Sequence, residues 1–202
     1  MKNFFLFKYL QYHLYDKFRF TYFEINLNKF SLTFPIKDNS IKIRKATRED
    51  IEKIKTDLYP EFDDKQEFYK KYINKIGKKD ISCFICEKNY KIVHYLIVFE
   101  KALKSPLMKT PIKKNIITHE YAFLGDAFTV PSARGAWILP KVLKTIIEYL
   151  HKNTKNKKAI LLVHEDTPGA KVFFRKLGFN EIKNPVQKNF ILDKIKSFVF
   201  KK

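Results

Sequence analysis

The fold of this chain is decided by two stretches, VPSARGAWI at residues 130–138 and TPGAKVFFRKLGF at residues 167–179. Each follows a predicted strand, EYAFLGDAFTV at residues 120–130 and KAILLV at residues 158–163. Each also leads into apolar residues at helical spacing. The continuous apolar run at residues 158–163 is typical of a strand that is covered on both faces. The second half of the chain therefore predicts two successive strand-turn-helix units.

The rest of the chain also alternates between strands and helices. The predicted strands are Lys17 to Leu27, Ile41 to Ala46, Ile81 to Glu87, Lys91 to Glu100, Glu120 to Val130, Lys158 to Val163 and Asn189 to Phe200. The capping pattern Thr47-x-x-Asp50 predicts the start of a first helix, which runs through Ile51, Ile54 and Leu58. Three further helices are predicted at Asp64 to Ile76, Gly135 to His151 and Pro168 to Leu177. Leu103 to Ile117 is predicted as a loop. This order predicts a mixed α/β domain at residues 41–202, preceded by an N-terminal helix and strand at residues 1–40.

Composition excludes several classes of protein. The chain has 202 residues, 45% of them hydrophobic, which is enough for a full core. The five glycines fit none of the dinucleotide, P-loop or nucleophile-elbow motifs. The two cysteines, Cys83 and Cys86, cannot build a disulfide framework, and we expect buried thiols in a reducing, cytoplasmic compartment. No spacing of His, Cys, Asp or Glu predicts a metal site.

The chain is strongly basic, with 41 Lys and Arg against 21 Asp and Glu and a net charge of +20. Such a charge attracts anionic partners without choosing among them. The basic residues are spread along the chain, which favours a solvated surface over a dedicated nucleic-acid groove. The aromatic segment from Met1 to Tyr15 is too broken for a spanning helix. We expect it to pack on the domain, with peripheral membrane contact through residues 1–20 as the alternative.

The patterns V-P-x-x-R-G-x-x-I and T-P-G-A-K-V-F-F-R-K-L-G-F, in this order and around a buried strand, resemble the GNAT superfamily of acyl-CoA-dependent N-acyltransferases. The resemblance covers about residues 41–200. It implies a central mixed sheet of about seven strands in which the strand at residues 120–130 splays from the strand at residues 158–163. It further implies acetyl-CoA as acyl donor, with its pantetheine arm between these strands. The residues that the resemblance assigns to acetyl-CoA are Phe128, Thr129, Val130, Arg134, Gly135, Ala136, Trp137, Ile138, Leu139, Thr167, Ala170 and Phe174.

The turn at residues 130–138 also makes physical sense as an anion site. A helix N-terminus has unpaired N–H groups and a partial positive charge, so it binds phosphate oxygens. Gly135 and Ala136 lack bulk there, and Arg134 adds a charge-assisted contact. Pro140 is tolerated in a first turn, which predicts a helix start near Ala136 and N–H donors at residues 135–139.

Direct transfer of an acetyl group requires a neutral amine, so a base must remove its proton. Asp126 and Glu120 are our candidates because both lie on the predicted cofactor strand, where even-numbered residues share a face. Trp137 and Leu139 replace small residues of the family pattern, and Thr167 replaces an Asn. Phe174 stands where a Tyr often acts as general acid, and Phe has no proton to donate. Three alternatives remain: the thiolate leaves unassisted, Tyr121 or His164 protonates it, or turnover has been lost.

Two functions follow. The first is acetyl transfer to a primary amine of a small molecule such as an amino sugar, with a metabolite or protein amine as further options. The loop from Leu103 to Ile117 and the helices before Ile81 are expected to form the acceptor wall. The second is a non-catalytic protein that binds acyl-CoA, nucleic acid or an anionic membrane.

Overall fold

The computed structural model describes residues 20–30, 40–62, 70–135, 137–164 and 167–183. Its strands are β1 (Phe20–Asn26), β2 (Ile41–Lys45), β3 (Ile81–Lys88), β4 (Lys91–Phe99), β5 (Tyr121–Thr129), β6 (Lys158–His164) and β7 (Asn180–Glu181). Its helices include α1 (Asp50–Leu58), α2 (Ile138–Asn153) and α3 (Pro168–Lys176). The strands form one seven-stranded sheet in the order β2-β3-β4-β5-β6-β1-β7. The predicted mixed α/β fold is therefore confirmed.

All neighbouring strands are antiparallel except β5 and β6, which are parallel. A helix follows each of these two strands, α2 after β5 and α3 after β6. Since the carboxyl ends of parallel strands meet at one edge of a sheet, the N-termini of α2 and α3 lie near the same edge.

The two faces of the sheet are covered by different helices. The front face carries Tyr95 and Phe128, and α1 packs there. The rear face carries Phe84, whose ring packs edge-to-face on Tyr149 of α2, and Phe23, whose ring contacts Phe174 of α3. Buried aliphatic and aromatic side chains from all the long strands fill both layers.

The N-terminal strand is built into the sheet. The strand predicted at Lys17 to Leu27 is observed as β1, and all seven of its residues pair with β6. On its other side β1 pairs with β7, a short strand that the sequence analysis missed. The predicted helix from Met1 to Tyr15 and the predicted strand from Asn189 to Phe200 lie outside the described residues. The domain boundary at residue 40 stays a prediction.

The start of α1 shows one of the two hydrogen bonds of the predicted capping pattern. The Asp50 carboxylate accepts a hydrogen bond from the Thr47 backbone N–H at 2.8 Å. The Arg44 guanidinium donates two further bonds to the same carboxylate, at 2.6 and 2.7 Å. These contacts lower the pKa of Asp50 to about 2, chiefly because Arg44 stabilises the charged form. Arg44 also reaches Glu87 at 2.9 Å, so it ties β2, β3 and α1 together.

Two predicted boundaries are wrong. Helix α2 begins at Ile138 and not near Ala136, because Gly135 and Trp137 adopt left-handed backbone angles, with φ of 83° and 55°. Of the helix predicted at Asp64 to Ile76, residues 70–73 are helical and a turn follows, while residues 64–69 lie outside the described part. The predicted loop from Leu103 to Ile117 is irregular, with short 3-10 turns. Within the described residues no helix has the length and apolar character needed to cross a membrane.

Candidate functional site

The sheet opens between its two parallel strands. The pairing of β5 with β6 runs from Tyr121–Lys158 to Leu124–Leu161 and then stops. Beyond that point β5 continues to Thr129 and β6 continues to His164. The splay that the family resemblance implies is therefore confirmed, and the opening lies at the edge where α2 and α3 begin.

A β-bulge marks the point where β5 leaves β6. Leu96 pairs with Ala127 and Val98 with Leu124, so Gly125 and Asp126 both lie opposite a single residue of β4. Glycine is required at position 125 because a Cβ there would lie 2.9 Å from the Phe99 ring and 3.2 Å from a backbone carbonyl of β4. The bulge brings the β5 backbone close to β4, and the residues after it stay paired with β4 while β6 is no longer paired with β5.

Asp126, one of the two candidate bases, lies in this bulge on the front face. Its side chain is half-buried, and its Oδ2 accepts a short hydrogen bond from the hydroxyl of Tyr95 on β4. The buried phenol holds the carboxylate at the mouth of the opening.

Glu120, the other candidate base, lies elsewhere. Glu120 comes directly before β5, at the end of the strand opposite to Asp126. Its side chain is exposed and forms an ion pair with Lys157. The expectation that Glu120 and Asp126 project from one face is wrong, because the bulge inserts one residue and reverses the alternation between them. The structure does not bring the two carboxylates together.

The carboxyl end of β5 is tied to a buried histidine. His94 Nδ1 lies 2.7 Å from Thr129 Oγ1, and the His94 side chain is fully buried on the rear face. Burial lowers the pKa of His94 to about 3, so the imidazole is neutral at neutral pH. Nε2 has no hydrogen-bond partner among the described residues. Since an unpaired buried acceptor costs less than an unpaired N–H, we assign the proton to Nδ1, which donates to Thr129.

The turn between β5 and α2 is fixed by backbone contacts. The Val130 N–H donates to the Val93 carbonyl at 3.0 Å, and Arg134 Nε donates to the Thr129 carbonyl at 3.2 Å. A Cβ at Gly135 would meet no atom within 4 Å, so the space above this residue is open. The Trp137 side chain is 59% exposed to solvent.

The late start of α2 changes which amides face an anion. Ile138 and Leu139 are the first-turn residues with an N–H and no intrahelical acceptor, because Pro140 has no N–H and the Lys141 N–H reaches the Trp137 carbonyl at 3.4 Å. Of the backbone N–H donors expected at residues 135–139, the first turn of α2 thus leaves those of Ile138 and Leu139. Ala136 lies outside the described residues.

Helix α3 follows β6 and borders the opening on that side. Thr167 precedes it and donates from Oγ1 to the His164 carbonyl at 2.6 Å, while Ala170 is half-buried in the first turn. Phe174 packs its ring against Phe23 and Phe179, with centroids 6.1 and 5.5 Å away. Phe174 is thus part of the rear-face core.

The two alternative proton donors are far apart. Tyr121 lies at the closed end of the β5–β6 pair, where its hydroxyl donates to Glu24 and accepts from Lys158 at 3.2 Å. His164 lies at the open end, half-buried, with its ring edge-on to Phe20 at 5.4 Å. Only His164 is near the opening.

Sequence reasoning missed Tyr95 and assigned no role to His94. Both lie on β4, and the signal that finds them is strand register, because Tyr95 pairs with Phe128 and His94 pairs with Thr129. The hairpin of β3 and β4 was predicted, but the register of β4 with β5 depends on a bulge that composition and periodicity do not reveal.

The described residues fit an acyl-CoA molecule in several respects. The opening between β5 and β6 exposes strand backbone to a pantetheine arm, and two helix N-termini with Arg134 lie beside it for the phosphates. Cys83 and Cys86 are fully buried free thiols on β3, away from the opening. The described ranges contain no group of three or more His, Cys, Asp or Glu that could hold a metal ion.

No protein-family model and no curated protein matches this chain in sequence. Among solved structures, the chain is similar to the aminoglycoside acetyltransferase meta-AAC0020 from an uncultured soil metagenomic sample, in complex with trehalose. That likeness has 15% identity and a TM-score of 0.50, and covers 69% of this chain and 88% of that chain.

Two further structures are similar over most of their length. One is AAC(6')-Iy in complex with the bisubstrate analog CoA-S-monomethyl-acetylneamine, with 13% identity, a TM-score of 0.52, and coverage of 73% of this chain and 95% of that chain. The other is an integron cassette protein from the mobile metagenome of V. cholerae, with 14% identity, a TM-score of 0.51, and coverage of 77% and 97%. Together with the splayed parallel strands, these likenesses establish that the chain has the fold of the GNAT superfamily of N-acyltransferases.

Proposed function

We propose that this protein is an acetyl-CoA-dependent N-acyltransferase that acetylates a primary amine of a small molecule. The observation that carries the proposal is the opening between β5 and β6, which coincides with the N-termini of two helices. Similar structures include AAC(6')-Iy in complex with CoA, which supports an acyl-CoA molecule as the ligand of this opening.

Specific groups support that ligand. The Val130 N–H donates to Val93, and strand alternation turns the Phe128 backbone towards β4 as well. We therefore propose that the backbone of Thr129, on the edge of β5 beyond its pairing with β6, offers hydrogen bonds to the pantetheine amides. Ile138 and Leu139 offer N–H groups to phosphate oxygens, and Arg134 adds a positive charge. Acetyl-CoA would supply the acyl group as a thioester. His94 supports this end of β5 through Thr129.

Proton transfer is assigned to two side chains. Asp126 takes a proton from the ammonium of the acceptor, so that the neutral nitrogen can attack the thioester carbonyl carbon. As the carbon–sulfur bond breaks, the sulfur needs a proton or leaves as a thiolate. His164 is our candidate for this proton because it lies at the open end of β6, whereas Tyr121 lies at the closed end and Phe174 has no donor.

A thiol-release assay tests the proposal. Wild type, Asp126→Asn and His164→Gln are incubated with acetyl-CoA and pooled primary amines, and Glu148→Gln, an exposed change on α2, is the matched control. We expect the Asp126 variant to lose about 100-fold or more in kcat and the His164 variant to lose less, because general acid–base groups contribute about that much. Equal rates for wild type and Asp126→Asn would refute the base assignment.

Binding is measured separately by titrating acetyl-CoA while following the fluorescence of Trp137, the single tryptophan, which adjoins the turn. We expect saturable binding that weakens in Arg134→Ala. Binding without release of thiol from any amine would instead support the second function, a non-catalytic acyl-CoA-binding protein. Absence of binding at millimolar acetyl-CoA would remove the acyltransferase and the acyl-CoA-binding protein, and would leave binding of nucleic acid or an anionic membrane as the second function.

A further inference from the structure

We propose that the acceptor of this site is an amine with one positive charge on an apolar, preferably aromatic, carbon frame, and not a polycationic aminoglycoside. The inference rests on the proposed function. It is carried by the side chains around Asp126, by one lysine beside them and by the charge of the whole chain.

Four aromatic rings lie together on the front face, and we call them the aromatic wall: Tyr59, Phe62, Tyr95 and Phe128. Phe62 is at the centre, with ring centroids 5.0 Å from Tyr59, 5.0 Å from Phe128 and 5.8 Å from Tyr95. Phe128 and Tyr95 are buried, while Phe62 and Tyr59 are half-buried. The ring surface available to a ligand is therefore that of Phe62 and Tyr59.

The aromatic wall adjoins the candidate base. Tyr95 donates its hydroxyl to Asp126, and Phe128 pairs with Tyr95 across β4 and β5. A ligand that places its amine at Asp126 thus meets aromatic rings on the same face. An apolar frame gains from burial against these rings, whereas a polyhydroxylated sugar would lose hydrogen bonds to water without replacing them.

A lysine already occupies the outer end of the aromatic wall. Lys70 Nζ lies 4.6 Å from the centroid of the Tyr59 ring and 6.0 Å from that of Phe62. These ring faces therefore attract an ammonium group through the cation–π interaction. A second ligand ammonium at the Tyr59 or Phe62 ring would compete with Lys70 for that ring face and be repelled by its charge.

The charge of the chain acts in the same direction. A protein with a net charge of +20 repels polycations over distances of about a Debye length and disfavours their association. Aminoglycosides carry several ammonium groups, and each of them is repelled by the positively charged protein. A monoamine has one such group, and the negative charge of Asp126 offsets its repulsion locally.

Direct binding of two amines tests the inference without any turnover. The dissociation constants of 2-phenylethylamine and of sisomicin are measured by isothermal titration calorimetry at low and moderate salt, with 2-phenylethanol as the ligand that lacks the charge. We expect 2-phenylethylamine to bind at least about ten-fold more tightly than sisomicin, which corresponds to about 1.4 kcal/mol.

Variants of the aromatic wall and its lysine make the test specific. Phe62→Leu keeps apolar volume but removes the ring, and we expect it to weaken 2-phenylethylamine binding by about five-fold, the size of one aromatic–aromatic contact. Lys70→Ala should strengthen sisomicin binding more than 2-phenylethylamine binding. Tyr90→Ala, at an exposed turn, is the control and should change neither.

Three outcomes would overturn the inference: sisomicin binding as tightly as 2-phenylethylamine, no binding of 2-phenylethylamine at millimolar concentration, or unchanged binding in Phe62→Leu. These outcomes are separate from failure of the proposed function. If acetyl-CoA binds and 2-phenylethylamine does not, only the acceptor class is wrong. If the amine binds and acetyl-CoA does not, the proposed acetyl transfer is wrong.

Discussion

Asp50 is a charged residue that stabilises the described fold away from the opening, through its contacts with Arg44 and Thr47. Its pKa of about 2, against an ordinary value of 3.8, means that the folded state favours the carboxylate by about 2 kcal/mol. We expect Asp50→Asn to lower the free energy of unfolding at pH 7 by about that amount, as urea denaturation would measure.

The acid limb of the stability curve checks this assignment. Because the folded pKa is depressed, the stabilisation is complete above pH 4 and is lost as the pH falls towards 2. Wild type and Asp50→Asn should therefore converge in stability over that range. Glu52→Gln, on the same helix but with its carboxylate 81% exposed, is the control and should change stability by less than about 0.5 kcal/mol. A gap between wild type and Asp50→Asn that persists at pH 2 would contradict the assignment.

His94 predicts a second pH dependence in a different range. Its folded pKa is about 3 against an ordinary value of 6.5, because burial disfavours the charged imidazolium. In the unfolded chain this histidine is protonated below pH 6.5, whereas in the folded chain it is protonated only below about pH 3. The free energy of unfolding therefore falls as the pH drops from 6.5 to about 3.

The measurement compares wild type with His94→Gln, which keeps hydrogen-bonding groups but cannot titrate. Between pH 6.5 and 5, wild type should lose about 1.5 kcal/mol more than the variant, since one full proton is worth about 1.4 kcal/mol per pH unit and the unfolded histidine is half protonated at pH 6.5. The exposed His119 and His151 are present in both proteins, so their contributions cancel. Parallel curves for the two proteins would show that His94 does not resist protonation.

Among the elements of the fold, the bulge in β5 yields a test with a matched glycine. A methyl group at Gly125 would collide with the Phe99 ring and with the β4 backbone, so we expect Gly125→Ala to cost about 1–3 kcal/mol in stability. We also expect it to weaken acetyl-CoA binding, because the bulge shapes the opening. Gly169→Ala in α3 adds the same methyl group where no atom lies within 4 Å, and it should be neutral or stabilising.

Elements with regular periodicity could be predicted from the sequence, and those that depend on a special backbone could not. Strands β2 to β6 and helices α2 and α3 are within a few residues of their predicted bounds, because their apolar residues keep a regular spacing. The start of α2 was misplaced because Trp137, a bulky residue, adopts a left-handed conformation that sequence rules assign to glycine.

The candidate site was predicted in part for the same reason. The turn, Arg134 and Asp126 could be identified from local motifs on a single strand-turn-helix unit. Tyr95, His94 and the aromatic wall could not, because they come from other elements and reach the opening only through strand register and tertiary packing. Pairing Glu120 with Asp126 failed because one inserted residue reverses the side-chain alternation.

At the scale of the whole molecule, β1 is expected to unfold together with the rest of the sheet. Phe23 is fully buried and contacts Phe174, so Phe23→Ala should cost about 3–5 kcal/mol. Urea denaturation followed by far-UV circular dichroism and by Trp137 fluorescence should give coincident transitions for wild type, and both should shift equally in the variant. Tyr90→Ala, which is 94% exposed, should leave both midpoints unchanged. Separate transitions for the two probes would mean that β1 belongs to a distinct unit.

The place of β1 in the sheet has a consequence for how the chain reaches this structure. Phe20 of β1 pairs with His164 of β6, far later in the chain, and the neighbouring β7 follows later still. During synthesis β1 therefore cannot form its pairs until β6 has left the ribosome. Such long-range closure is intrinsically slow. Tyr22 and Phe23, which are fully buried in the folded protein, lack these covering strands on the nascent chain until then.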